Sequence, residues 1–477
     1  MNSTNTGKVF SSFFWSFLER IGSQILQVLV TIILARLLEP KVFGTVALIT
    51  VFTTILQVFV DSGMGNALIQ KKDADDLDFS SVFYFNVATC IVLYICVFIS
   101  APLIANFYKM PNIVAVIRAL SLTVLISGIR NIQQAYVSRY LLFKKFFYAT
   151  LGGTIGGAAI GIWMAFTGYG VWALVVQNLV NLTLGTLILW CLVDWRPKLI
   201  FSLQRLRSLF NYGWKLLVSA LLDIGSSNII YFVIGKLYTT SDLAFYDRGR
   251  QFPNLIVNNV NTAIDNVLLP TMSAEQDNSE RVRSLTRRAI QVSTYVMMPI
   301  MMLLALCAEP IVRLVFTEKW LPCVFFLRVF CFTFAFWPIH TANLNAIKAM
   351  GRSDIFLKLE ISKKIIGIIA LLATMYISVQ AMALSLLVTS ITSQIINAWP
   401  NKNLLNYCYT DQVKDMLPQI GLSCFMAGVV YNLQFLTCSD WLTLLMQFFL
   451  GVSLYLGVSK LLRFESFEYI VRIVKNI

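Results

Sequence analysis

The chain alternates between long apolar runs and short polar breaks, and the runs are longer than the elements of a soluble core require. A stretch of about 18 or more apolar residues reads as a membrane-spanning helix. Such stretches fall near 13–34, 43–62, 82–105, 114–135, 147–166 and 170–192. A second set lies near 214–234, 251–271, 290–312, 324–346, 359–378 and 381–399, and a final pair near 417–436 and 441–461. The pattern predicts an all-α integral membrane protein of about fourteen transmembrane helices. The spans beginning at Gln251 and Val324 are more polar than their neighbours.

Inside the spans, polar residues recur at spacings of three and four, which puts them on one helical face. Ser16, Glu19, Arg20, Ser23 and Gln27 form such a line in the first span, and Thr50, Thr54, Gln57 and Asp61 in the second. Lys215, Ser219, Asp223 and Ser226 align in the seventh, and Asn254, Asn258, Asn261 and Asp265 in the eighth. The fourth span adds Arg118, Arg130, Asn131 and Gln134; the tenth adds His340, Asn343 and Asn345. Polar groups are expensive in a bilayer, so they face a bundle interior or an aqueous cavity. One reading makes each line a cavity wall. The other makes its members hydrogen bonds and ion pairs that hold the bundle together, the better account of any single Asn or Thr. The charged residues Arg20, Arg130, Asp223 and Asp265 cost more to bury and carry the stronger case for function.

The stripes fall on the first two spans of each half of an internal repeat, at an offset of about 200 residues. Trp15 opens a span that ends at Arg36-Leu37, with Val42 opening the next; Trp214 opens one that ends at Lys236-Leu237, with Leu243 opening its successor. Residues 130–148 align loosely with 339–357. Six spans separate equivalent points, so the halves share one orientation, as in transporters built from parallel repeats. The expected organisation is a six-helix bundle over 1–200, a second over 201–405, and two extra helices with an amphipathic tail over 406–477. In that tail Phe464, Phe467, Ile470, Val471 and Val474 share a face, which suits a helix lying on the inner membrane surface.

Composition agrees with the patterning. The chain of 477 residues is 57% hydrophobic and 13% charged, against roughly 25% charged for a soluble domain. Its net charge of +14 is divided among short loops of one parity. That asymmetry places both termini in the cytoplasm by the positive-inside rule. It sets the charges beside anionic lipid headgroups and argues against a nucleic acid partner. The nine cysteines are scattered without a Cys-x-x-Cys, so they read as small buried hydrophobes, with no disulfide framework and no metal site. No cleavable signal peptide is expected. Gly152, Gly153, Gly156, Gly157 and Gly161 form small-x-x-x-small patterns for close helix packing. No phosphate-binding Gly-x-x-x-x-Gly-Lys motif occurs, and no loop exceeds about 20 residues, so neither ATP hydrolysis nor a cofactor is expected. The single His340 reads as an interior hydrogen-bond partner, which weighs against a membrane polymerase or acyltransferase; the chain is not expected to be an enzyme.

Several segments resemble the Wzx-type oligosaccharide flippases of the multidrug/oligosaccharidyl-lipid/polysaccharide exporter superfamily. They are Leu34-Ala-Arg-Leu-Leu-Glu-Pro-Lys-Val-Phe-Gly44, Asp61-Ser-Gly-Met-Gly-Asn-Ala-Leu-Ile-Gln70, Arg139-Tyr-Leu-Leu-Phe-Lys-Lys-Phe146 and Gly170-Val-Trp-Ala-Leu174. In the second half they are Tyr246-Asp-Arg-Gly-Arg250, Leu269-Pro-Thr-Met-Ser273, Glu318-Lys-Trp320 and Ala349-Met-Gly-Arg-Ser-Asp354. The resemblance implies two six-helix bundles plus two helices in the bacterial inner membrane, moving undecaprenyl-pyrophosphate-linked oligosaccharide for O-antigen, capsule or exopolysaccharide. A polysaccharide polymerase is the implied downstream partner. The polar stripes then suggest roles. Arg20, Arg118, Arg130 and Lys215 would hold the pyrophosphate, and Asn254, Asn258 and Asn261 would meet the glycan. Glu19, Asp61, Asp223 and Asp265 would carry H+ or Na+. The alternative is a multidrug or small-metabolite exporter of the same superfamily, which basic residues in the cavity disfavour for cationic drugs.

Overall fold

In the computed structural model the chain is helical, with no strand among the described residues. These are residues 3–475 apart from 62–63, 72 and 436–438; the side chains of Lys215 and Val474 are among a few inside helices that lie outside the described set. By its packing the chain forms two compact units, Met1–Ala244 and Phe245–Ile477.

The first unit holds α1 (Ser3–Leu37), α2 (Pro40–Asp61), α3 (Met64–Gln70), α4 (Asp76–Phe107), α5 (Val114–Arg139), α6 (Phe143–Phe166), α7 (Val171–Leu192) and α8 (Leu203–Leu237). Helix α9 (Thr240–Ala274) begins just before the divide. The second unit continues with α10 (Ser279–Leu306), α11 (Ala308–Val315), α12 (Cys323–Ala335), α13 (Trp337–Ala349), α14 (Ser353–Thr374) and α15 (Val379–Ala398). It ends with α16 (Asn401–Leu405), α17 (Tyr409–Tyr431), α18 (Asp440–Leu461) and α19 (Glu465–Lys475).

Each apolar segment read from the sequence falls largely on helix. Among the described residues, eleven helical segments are long and apolar enough to cross a membrane. Helices α9, α14 and α17 are not among them. Their interiors carry the asparagines of α9, Lys358, Glu360, Lys363 and Lys364 of α14, and Asp411, Lys414 and Asp415 of α17. The tenth predicted span is broken at Phe336 into α12 and α13, with Pro338 in the first turn of α13, where a missing N–H does least harm.

Close packing in the first unit depends on small residues. Helices α6 and α7 meet where a Cβ on Gly153 would lie 2.4 Å from the Asn181 carbonyl oxygen and one on Gly157 2.7 Å from that of Gln177. The glycines therefore serve helix contact, as the spacing predicts. Gly157→Leu should force α6 off α7 at a cost of about 1–3 kcal/mol, read as a lower melting temperature of the detergent-purified protein; an unchanged melt would show that the pair relaxes freely.

Helix α8 belongs to this unit by its contacts. Asp78, fully buried in the first turn of α4, accepts from Lys71 Nζ at 2.6 Å and from Arg205 Nη1 of α8 at 3.2 Å. Asp75 caps α4 by accepting from the Asp78 N–H at 3.0 Å. The Ser80 and Ser81 hydroxyls accept from the backbone N–H groups of Lys198 and Ser202 at 3.0 and 2.9 Å, tying down the segment before α8. At the far end of α8, Phe232 packs edge-on to Phe52 of α2 at 4.9 Å. Lys236 there donates to the Phe107 carbonyl and lies 3.8 Å from that residue's ring centroid. Just beyond, Thr240 crowds Gly44 of α2, whose added Cβ would sit 1.6 Å from the Thr240 carbonyl oxygen.

In the second unit α10 packs against α12, α13 and α17. A buried amide cluster joins α13, α16 and α17. Asn343 and Gln412 exchange bonds at 2.9 and 3.0 Å, and Asn401 donates to Asn343 Oδ1 at 2.7 Å. The apolar face of α19 does not lie open for a membrane surface. Phe467 and Ile470, with Phe464 just before the helix, pack against Tyr295, Leu303, Leu422, Met426 and Tyr455 of the unit's own core.

Candidate functional site

The first unit brings together charges from two helices and a hydroxyl from a third. Glu19 of α1 faces Thr150 of α6 and lies in the field of Arg130 of α5 and of Arg20. The Arg130 guanidinium sits 5.3 Å from the Phe146 ring centroid. Its Nε is buried with no hydrogen-bond partner among the described residues. Gly185 of α7 lies beside it, and a Cβ there would be in ordinary contact, 3.6 Å from Arg130 Nη1. Arg20 itself is exposed. The unit thus contains a half-buried guanidinium with unused donor capacity, an exposed guanidinium, and one carboxylate that lies in the field of both.

Arg118 does not join them. It lies twelve residues before Arg130 on the same helix, about 18 Å along the axis. Its Nε donates to the Phe98 carbonyl at 3.2 Å, and its guanidinium lies 4.0 Å from the Phe98 ring centroid. The Lys215 side chain is outside the described residues, and Asp223 is exposed on α8.

A second polar place in this unit is Asp61, at the end of α2. Asn131 of α5 donates to its Oδ1 at 2.7 Å, and Gln57, one turn earlier, approaches the same carboxylate. In the second unit Asn261 accepts from the Thr341 hydroxyl of α13 at 2.5 Å. One turn on, Asp265 accepts from Asn345 of α13 at 2.8 Å. Asn254 is half-buried and Asn258 exposed on the same helix. His340 is half-buried with its Nδ1 3.1 Å from Asn397 Nδ2 of α15, an interior partner as its setting in the sequence suggests.

The hydroxyls of the stripes are satisfied within their own helices. Thr50 donates to the Val46 carbonyl at 2.8 Å, Thr54 to Thr50 at 2.8 Å, Ser23 to Arg20 at 3.2 Å and Ser226 to Asp223 at 2.9 Å. Such back-bonds need no cavity. The stripes therefore resolve into a few carboxylates, amides and guanidiniums, joined by Thr150, Thr341 and Asn397, which the sequence does not single out because each partner lies on a distant helix.

A family model described as polysaccharide biosynthesis protein matches residues 33–325. Teichuronic acid biosynthesis protein TuaB of Bacillus subtilis (strain 168) is 24% identical over 360 residues, covering 73% of each chain. Succinoglycan biosynthesis transport protein ExoT of Rhizobium meliloti (strain 1021) is 26% identical over 306 residues, which span 64% of this chain and 62% of that relative. Among solved structures, lipid II flippase MurJ superposes with a TM-score of 0.79 at 15% identity, over 94% of this chain and 98% of the other. That likeness shows a shared fold.

Proposed function

The chain belongs to the polysaccharide biosynthesis protein family, whose model spans well over half of it, and on that premise we propose that it is a flippase for lipid-linked oligosaccharide. The observation that carries the chemical part of this reading is the pair of arginines, Arg20 exposed and Arg130 half-buried with its enclosed Nε unpartnered among the described residues. A pyrophosphate is an anion that guanidiniums recognise by paired, charge-assisted hydrogen bonds. Arg118, engaged with Phe98 at a distance along α5, is left out of this clamp. The amides of Asn254, Asn258 and Asn261 suit glycan hydroxyls, and a polyprenyl tail would remain in lipid.

In this reading fourteen helices cross the bacterial inner membrane with both termini inside, α9, α14 and α17 among them. Their polar residues are tolerated because they face protein or a wet path. The chain has no nucleotide-binding motif, so an H+ or Na+ gradient is the proposed energy source. Alternating access follows from movement of parallel repeats.

The test is rescue of surface polysaccharide in a bacterial strain lacking its own flippase, together with flipping of a matched lipid-linked glycan in liposomes. Movement of the glycan in liposomes is the expected result. Failure there, with a cationic or small neutral solute exported instead, would replace this reading with that of an exporter.

A further inference from the structure

One element of the stripes occurs twice. In the first unit, Asp61 on α2 has an amide one turn before it, Gln57, and accepts from Asn131 of α5 at 2.7 Å. In the second, Asp265 on α9 has Asn261 one turn before it and accepts from Asn345 of α13 at 2.8 Å. Gln57-Val-Phe-Val-Asp61 and Asn261-Thr-Ala-Ile-Asp265 thus place an amide and a carboxylate four residues apart on the second long helix of each sequence half. In both halves the fourth spanning segment supplies the asparagine. Most other polar positions differ between the halves.

These two carboxylates differ from the charge-paired ones of this protein. Asp78, Asp354 and Asp415 are each met by a Lys or Arg. Among the described residues, Asp61 and Asp265 make no ion pair; their partners are carboxamides. The titratable neighbour of Asp61 is the Cys90 thiol of α4. On α13, His340 is turned to Asn397, and Thr341 to Asn261. Asn345 is fully buried, and its Oδ1 has no hydrogen-bond partner among the described residues. At the first site Asp61 is exposed, and the Gln57 and Asn131 carboxamides complete the oxygen set. At the second, a carboxylate without a counter-charge stands beside an unmet buried acceptor, a set of oxygens that a monovalent cation satisfies. A proton on the carboxyl supplies an O–H donor to that acceptor, and a sodium ion takes the same oxygens as ligands.

We propose that these are two repeat-related monovalent-cation sites, one in each half. Asp61 with Gln57 and Asn131 forms the first; Asp265 with Asn261, Thr341 and Asn345 forms the second. The proposal deepens the ion-coupled reading above, on which it rests, and assigns the load to two of the four candidate carboxylates. Glu19, which faces Arg130 and Arg20, is not a carrier in it.

The experiment uses the full chain purified in detergent and needs no glycan. Binding of radioactive sodium is measured at alkaline pH, and the infrared band of protonated carboxyl groups is followed as pH is lowered to about 6, above the range in which ordinary carboxyls titrate. One of the two signals is expected in the wild type: sodium binding identifies the alkali ion, a titrating carboxyl band the proton. Asp61→Asn and Asp265→Asn should each remove about half of that signal, and the double variant all of it. Asn345→Ala, which keeps both carboxylates, should weaken the second site about tenfold and leave the first unchanged. Neither signal in the wild type, or a signal untouched in a monodisperse double variant, would overturn the proposal. Cation binding with no glycan movement would count against the flippase reading alone; glycan movement without either signal would count against the cation sites alone.

Discussion

Arg130→Met should lower both the stability of the protein and its ability to restore surface polysaccharide, and a second substitution should separate the two losses. The guanidinium lies between helices, with Glu19 as its nearby opposite charge. Removing it leaves the half-buried Glu19 carboxylate without its main counter-charge, at a cost of about 1–3 kcal/mol. The melting temperature and the yield of folded protein should fall together. Glu19→Gln added to Arg130→Met removes the stranded charge, and most of the stability should return. Transport should not. A charge-assisted hydrogen bond to phosphate is worth about 1.5–3 kcal/mol, so glycan movement in liposomes should stay about ten- to a hundredfold below wild type. Arg20→Ala, at an exposed position, should leave the melt unchanged and reduce transport similarly. Wild-type transport by the stable double variant would make Arg130 a structural residue of the bundle.

The second large effect is expected at Asp78→Ala. Its carboxylate is buried and collects Lys71, Arg205 and the N–H of Asp75. The alanine variant would lose two charge-assisted bonds and leave two cations to repel each other near the start of α4. A loss of about 3 kcal/mol is expected, measured as a lower melting temperature. Asp78→Asn preserves the shape and one acceptor, so it should lose less. The cluster also has an acid limit. The Asp78 backbone N–H holds the Asp75 carboxyl below the usual carboxylate range, with Arg205 assisting. A carboxyl whose folded value is depressed contributes stability that is fully present above its unfolded value, about 3.9, and is lost as pH falls through the folded one. The wild-type melt should therefore be flat near neutrality and decline only below about pH 4. A decline already at pH 6 would point to a different group.

The helices were legible because lipid imposes a simple rule on sequence: long apolar runs with charge confined to the breaks. The rule is weakest where polar residues interrupt an apolar run, as at α9, α14 and α17. It is blind to a one-turn change of direction such as that at Phe336, where the apolar run continues through the bend. The short helix α3 lacks the length to register as a span. Spacing picked out Glu19, Arg130, Asp61 and Asp265, whose side chains meet groups on other helices, and it grouped Arg118 with Arg130. Helical periodicity reports a shared face; the distance along the helix also decides whether two residues meet. Periodicity likewise joined hydroxyls to carboxylates on one stripe, although Thr50, Thr54 and Ser226 are satisfied by their own helices. The amphipathic tail had the right face and the wrong cover, since an apolar stripe is the same whether lipid or Leu422 and Tyr455 lie against it.

Helix α8 opens the second half by sequence, yet it is held to the first unit by Arg205 at one end and by Phe232 and Lys236 at the other. Duplication and packing therefore cut this chain at different places. Hybrids assembled from related transporters will feel the difference. A crossover near residue 200 would ask a foreign helix to find Asp78, Phe52 and Phe107, whereas one after Ala244 would carry α8 along with the partners it evolved beside.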